Sequence, residues 1–158
     1  VKKGCVRHNH PMPIHNETRH SPYTPPQLVA MILDIERYPE FLPWCRAARI
    51  IERGEEGFTG ELVISFHHLS ERYSSRVSHR TLHSGAEEID VTLVKGPFKH
   101  LKNAWRIVPR ADGSDIHFHL DFAFKSKMLE RLIGGLFTRA TEKMTKAFLV
   151  RADVLYSK

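Results

Sequence analysis

Cysteine is scarce in this chain. Cys5 and Cys45 are the only two, and no CxxC pair occurs. They make no disulfide framework, and a reducing cytoplasm fits that usage best. There is no run of about 18 apolar residues, so nothing in the sequence spans a membrane as a helix. An N-terminal apolar segment of the secretory type is also missing. So are the G-x-S-x-G nucleophile turn, the P-loop and the paired-glycine dinucleotide fingerprint, and with them the usual casts for acyl transfer, phosphoryl transfer and hydride transfer. No internal repeat is present. Anionic residues are in deficit: 24 Lys and Arg face 18 Asp and Glu, a formal charge of +6. That balance favours acidic partners, anionic lipid or nucleic acid, without choosing between them. Because the basic residues are dispersed, a solubilising surface also accounts for them.

What the chain does have is 158 residues with 41% hydrophobic content, enough for one domain with a real core. Residues 1–14 carry Lys2, Lys3, Arg7, His8 and His10, then Pro11 and Pro13, without apolar period. They read as a disordered or non-native lead-in, with Met12 a candidate start. The domain is expected over 15–158. A short polar strand is predicted from His15 to Tyr23. Thr24-Pro25-Pro26-Gln27 then opens a helix, Thr24 as N-cap and proline in the first turn. This helix is expected to reach Ile35, with Leu28, Ile32 and Ile35 on one face.

The segment Tyr38-Pro-Glu-Phe-Leu-Pro-Trp-Cys45 follows. Pro39 and Pro43 fit neither helix nor strand interior and set the backbone of a loop. Tyr38, Phe41, Leu42 and Trp44 on that loop must bury, either as ordinary core or as the lip of an apolar cavity. Period-2 alternation then marks successive strands: Cys45–Arg53; Leu62, Ile64 and Phe66; Tyr73, Ser75, Val77 and His79; Ile89, Val91 and Leu93; Leu101, Asn103, Trp105 and Ile107; and Ile116 to Phe124. Short turns between two-faced strands predict an antiparallel meander. From Lys127 to Tyr156 the period becomes helical, interrupted by Gly134-Gly135, which marks a kink or a close approach. The expected class is α+β: a curved antiparallel sheet of six to seven strands wrapped around one long C-terminal helix, with room for a cavity between them.

Three stretches carry a family resemblance: Asp34 to Cys45, Val94 to Trp105, and Leu120 to Leu129 leading into the last helix. Through them the chain resembles, over residues 15–156, the START-like (helix-grip) superfamily. More narrowly it is similar to the coenzyme Q-binding and polyketide cyclase-related group, which includes the bacterial ribosome-association toxin. The resemblance implies a hydrophobic pocket for an isoprenoid quinone such as ubiquinone and a carrier or chaperone role supporting respiration, without catalysis. It also implies a competing role at the large ribosomal subunit. The older cyclase or dehydratase label rests on fold analogy, which carries no chemistry. The expected setting is the cytoplasm, peripheral to the inner face of the cytoplasmic membrane, with no DNA partner.

Candidate ligand contacts follow from parity. Tyr73, Ser75, Leu93, Asn103, Trp105, Phe118 and Phe122 face the core; Leu132 and Leu136 meet them from the last helix, and Tyr38, Phe41, Leu42 and Trp44 from the loop. Most such side chains are plain core. Ser75 and Asn103 are polar, so with Tyr73 and Trp105 they either hydrogen-bond a quinone head group or satisfy themselves on backbone or buried water. A tail gains on the order of 3–4 kcal/mol gross per five-carbon unit, at roughly 0.8 kcal/mol per CH₂. In Lys95-Gly96-Pro97-Phe98-Lys99, Phe98 is a candidate gate or membrane-dipping side chain, flanked by Lys95, Lys99 and Lys102; a hairpin with solvated lysines is the plain alternative. His79 is the least implausible general base. His117, His119 and Asp121 share a strand face but stand about 7 Å apart, too far for a tight metal site; no metal or covalent cofactor is expected. Arg72, Arg76 and Arg80 form an outward stripe suited to RNA, lacking aromatics to stack on bases.

Overall fold

The computed structural model describes residues 14–157. The lead-in expected over 1–14 lies outside that range except for Ile14, which opens the first strand. The elements are β1 (Ile14–Ser21), α1 (Pro25–Leu33), a 3-10 helix (Ile35–Glu40), β2 (Cys45–Arg53), β3 (Gly57–Phe66), β4 (Leu69–Thr81), β5 (Glu87–Lys95), β6 (Phe98–Arg110) and β7 (Gly113–Phe124). The C-terminal helical segment comprises α2 (Lys127–Leu129), a π-helical turn (Glu130–Gly134), α3 (Gly135–Glu142) and α4 (Met144–Tyr156).

One antiparallel sheet of seven strands runs in the order β1-β7-β6-β5-β4-β3-β2. It is a meander from β2 to β7, with β1 added beside the last strand. Alternation along each strand does what the sequence predicts: in β7, Ile116, Phe118, Leu120, Phe122 and Phe124 are buried, while His117 pairs with Thr18 of β1 on the other face. Register shifts at Cys45/Ala47, Ile50/Glu52, Ser74/Ser75 and Phe98/His100 interrupt the ladders, and such bulges bend and coil a sheet. At the β6–β7 turn Gly113 adopts φ +139°. A Cβ there would collide with the Ser21 carbonyl, so only glycine closes this end against β1.

Thr24 caps α1 through a reciprocal box: its hydroxyl accepts from Gln27 N–H and the Gln27 side chain accepts from Thr24 N–H. Two expectations need correction here. The helix stops at Leu33, because Asp34 leaves helical geometry (φ −83°, ψ 63°), and Ile35 opens the 3-10 helix. Pro39 sits inside that short helix, whose i→i+3 bonding spares it the clash it would cause in an α-helix. The third correction concerns the single long C-terminal helix. Its path is continuous, but a π-turn ending at Gly134 and a break at Lys143 divide it. The core lies between the inner sheet face and α1, the 3-10 helix, α3 and α4. No helix among the described residues is long and apolar enough to cross a membrane.

Candidate ligand-binding cavity

Inward positions of β3 to β6 form one wall of an internal cavity: Leu62 and Ile64, Tyr73 and Ser75, Ile89 and Val91, Asn103 and Trp105. Ile32, Ile35, Tyr38, Leu42 and Trp44 close it from α1, the 3-10 helix and the loop. Phe137, Met144 and Phe148 close it from the C-terminal segment. The space enclosed is about 80 Å³. Pockets for small organic ligands run from about 300 Å³ upward, so the space as it stands is too small for one.

Polar groups in the cavity are few, and most of them are committed within the protein. Trp105 Nε1–H donates to Asn103 Oδ1 at 3.0 Å, and Asn103 Nδ2–H donates to the His119 carbonyl at 2.8 Å. Asn103 is therefore committed to the protein at both ends of its amide. Tyr38 O–H donates to the Ile32 carbonyl. Ser75 Oγ, in a residue only 3% exposed, has no partner among the described residues. An unmade hydrogen bond of that kind costs about 1–3 kcal/mol. The titratable groups among the lining residues are two phenols. Burial pushes the Tyr38 and Tyr73 hydroxyls well above their ordinary value, so both stay neutral donors. Burial likewise pushes the nearby Cys45 thiol up to about 11, and its Sγ–H points to the Ala47 carbonyl. That is an inert thiol.

Of the side chains proposed from sequence, Tyr38, Leu42, Trp44, Tyr73, Ser75, Asn103 and Trp105 line the cavity. The others lie elsewhere. Phe41 sits one layer out, 5.1 Å from the Phe148 ring, with the Arg151 guanidinium 5.2 Å above it. Phe118 stands behind Trp105 at 4.7 Å, and Phe122 packs on Phe137 at 4.6 Å. Leu93 is half-buried outside the lining. Phe98 is 0% exposed, stacked 4.8 Å from Phe124 and packed edge-on to Tyr73. It is an interior residue rather than a gate or a membrane-dipping side chain, because the bulge beside it turns its ring inward. Leu132, inside the π-turn, is 53% exposed, and Leu136 is only half-buried, one residue and about 100° round the helix from Phe137. Lys95, Lys99 and Lys102 do not converge: Lys95 ends β5, Lys99 occupies the bulge, and Lys102 stands on the outer sheet face opposite Asp121.

Lining residues that the sequence reading did not offer as ligand contacts include Ile32, Ile35, Gly60, Leu62, Ile64, Ile89, Val91, Leu101, Phe137, Met144 and Phe148. Gly60 carried a signal: a strand glycine marks close approach, and a Cβ there would strike Ile35 Cδ1. His79 lies outside the lining, its Nε2 2.6 Å from Glu87 Oε2, an oxygen that also accepts from Thr81 at 2.8 Å. His117, His119 and Asp121 each face a different partner: Thr18, Asn16 and His100. No cluster of three metal-ligating side chains occurs among the described residues.

The two halves of the helical roof are held differently. Helix α4 is tied from several sides. Arg151 donates to Glu40 at 2.7 Å, Tyr156 O–H to the Gln27 carbonyl at 2.8 Å, Tyr23 O–H to Asp153 at 2.6 Å, and Arg19 to Thr145 at 2.9 Å. Arg19 also pairs with Glu17; burial opposes that charge, but hydrogen bonds from His15, Thr145 and Arg19 hold the carboxyl below its ordinary range. Among the described residues, no side-chain hydrogen bond or ion pair ties 127–142 to the sheet. That stretch rests on apolar contacts centred on Phe137.

Comparison with known proteins agrees with this architecture. Residues 21–149 match the profile of the family described as polyketide cyclase / dehydrase and lipid transport. The ribosome association toxin RatA of Rickettsia prowazekii (strain Madrid E) is 44% identical over 135 residues, covering 85% of this chain and 92% of that protein. The mitochondrial coenzyme Q-binding protein COQ10 homolog B of Xenopus laevis is 28% identical over 137 residues, covering 84% of this chain but 54% of that protein. A START superfamily protein from Mycobacterium smegmatis superposes with a TM-score of 0.74 over 90% of this chain and 98% of its own, at 19% identity, a likeness of fold alone. The chain belongs to the polyketide cyclase / dehydrase and lipid transport family and carries its START-type helix-grip fold.

Proposed function

We propose that this chain holds a hydrophobic ligand with a hydrogen-bond-accepting polar end, of the isoprenoid quinone class, and acts as a carrier or chaperone without turnover. The observation that carries this reading is the Ser75 hydroxyl, unpartnered among the described residues and buried in a mostly apolar cavity between sheet and helices. A quinone carbonyl would accept from it. With about 80 Å³ enclosed, less than the roughly 150 Å³ that admits benzene, the ligand has to displace part of the roof. The loosely held stretch around Phe137 is the part free to yield. Two neutral phenols offer no general base, which favours retention over chemistry.

The test is mass spectrometry of an organic extract from protein made in quinone-producing cells, wild type beside Ser75→Ala. Losing an unpaired buried hydroxyl should raise unfolding stability by about 1 kcal/mol. Quinone retention should fall by roughly three- to tenfold, the worth of one hydrogen bond. Opposite signs for stability and binding are the signature; a folded protein that yields no quinone, wild type included, sinks the reading.

A second reading, association with the large ribosomal subunit, is favoured by the 44% identical relative named for ribosome association. Its surface would be the outer arginine stripe. Arg72 lies 3.5 Å from Glu61, which Arg49 also meets at 2.9 Å, and Arg80 pairs with Glu88; Arg76 is the member of the stripe in no ion pair among the described residues. Co-sedimentation with large subunits over a salt series should give a steep negative slope. Reversing Arg72, Arg76 and Arg80 to Glu should flatten it by about 2, near 0.7 per phosphate contact. An unchanged slope removes the stripe from the interface.

A further inference from the structure

We propose that the end of the sheet carrying α2 and the π-turn is a docking surface for an anionic lipid bilayer. Antiparallel topology brings the β3–β4 hairpin, the β5–β6 turn and the start of α2 to this one end. Lys125 N–H donates to the Pro97 carbonyl at 2.8 Å, and the Phe66 ring lies 6.2 Å from Phe137, so these pieces are joined. Large apolar side chains are exposed here: Met128 at 69%, Leu132 at 53%, Val94 at 59% and Leu69 at 37%. Met128 and Leu132 stand four residues apart on one side of the helical segment.

Cations flank them. Lys95, Lys125, Lys127 and Arg131 are exposed, and none is in an ion pair among the described residues. The acidic groups at this end are Glu71, Glu130 and Glu61, the last of them met by Arg49 and Arg72. An interfacial surface combines these two properties, apolar side chains to enter the acyl boundary and cations to meet lipid phosphates. An RNA would use the cations and gain nothing from exposed Met128 and Leu132, which is why the bilayer is the better partner. This inference is independent of the cavity's ligand, because binding is read on vesicles that contain no quinone.

The experiment is flotation with phosphatidylcholine vesicles, with and without phosphatidylglycerol. Two variants accompany the wild type: Met128→Ser with Leu132→Ser, and Lys125→Glu with Lys127→Glu and Arg131→Glu. All five side chains are at the surface, so thermal midpoints near wild type are expected. The wild type should float with phosphatidylglycerol-containing vesicles and stay behind with phosphatidylcholine alone. The apolar pair should weaken partitioning by at least about tenfold. The charge reversal should weaken it by at least about a hundredfold, each cation being worth about fivefold at an anionic surface. A wild type that floats with neither vesicle, or equally with both, overturns the proposal. So does a Met128→Ser, Leu132→Ser protein that floats as well as wild type while the charge reversal does not, which would mark a purely electrostatic, RNA-like surface.

Discussion

Phe137→Ala should lower unfolding stability by about 3–5 kcal/mol, the range for truncating a buried phenylalanine. Phe137 is 3% exposed, and its ring lies 4.6 Å from Phe122, 5.6 Å from Phe124 and 5.6 Å from Phe98. It is also the chief anchor of α3 to the sheet, with no polar tie among the described residues to share the load. Thermal denaturation should show a midpoint roughly 10–15 °C lower for a chain of this size. Amide exchange should show a second effect: residues 135–142 open well before β6 and β7, as a locally weak unit does. Uniform loss of protection across sheet and helix would mean that α3 is no separate unit. A cost under about 1 kcal/mol would mean that Phe137 is not the hub its contacts describe.

Trp105→Ala removes the opposite wall and should cost more, about 4–6 kcal/mol. Trp105 is 3% exposed and packs against Phe118 at 4.7 Å and Phe148 at 5.0 Å, so the packing loss alone is about 3–5 kcal/mol. Its indole N–H also satisfies Asn103 Oδ1 at 3.0 Å, and the truncation orphans that oxygen inside the cavity at about 1 kcal/mol or more. Replacing Asn103 by Val in the Trp105→Ala background should recover part of the loss, a coupling that a double-mutant cycle reads directly. Additive costs would mean the Trp105–Asn103 bond carries no energy. In this variant exchange should rise across the whole protein, because the sheet wall belongs to the global unit. The proposed ligand-holding role carries the same contrast: Phe137→Ala is expected to exchange a hydrophobic ligand faster, Trp105→Ala to lose it.

Most of the fold was legible from side-chain alternation, and the reasons are local. A strand buried on one face must alternate, so Tyr73, Ser75 and Val77, or Asn103 and Trp105, declare their face without any knowledge of the neighbours. The Thr24 N-cap and the Gly134-Gly135 interruption are equally local. What alternation cannot report is the layer behind the face. Phe98, Phe118 and Phe122 share a face with Trp105, yet they fill the solid part of the core, where rings stack on rings. Leu132 was misplaced for a different reason: helical phase was carried unbroken through a turn that does not keep it. Lys102 was misplaced because the register shift at Phe98/His100 separates it from the hairpin tip. The cavity's volume was out of reach from sequence, since it depends on how Phe137 and Met144 close against the sheet.

The π-turn over Glu130–Gly134 can be read as a single-residue insertion. A π-turn accommodates one more residue than an α-turn in nearly the same rotation, so the helical stretches on its two sides keep their mutual facing across the extra residue. Wound wholly as α-helix at about 100° per residue, the same sequence would carry Lys127–Leu129 round by about that angle relative to Phe137. The spare residue is therefore what lets Leu129, ahead of the turn, and Ile133 and Phe137 all pack on the core. Its removal by a one-residue deletion should leave Met128 facing outward as it does now.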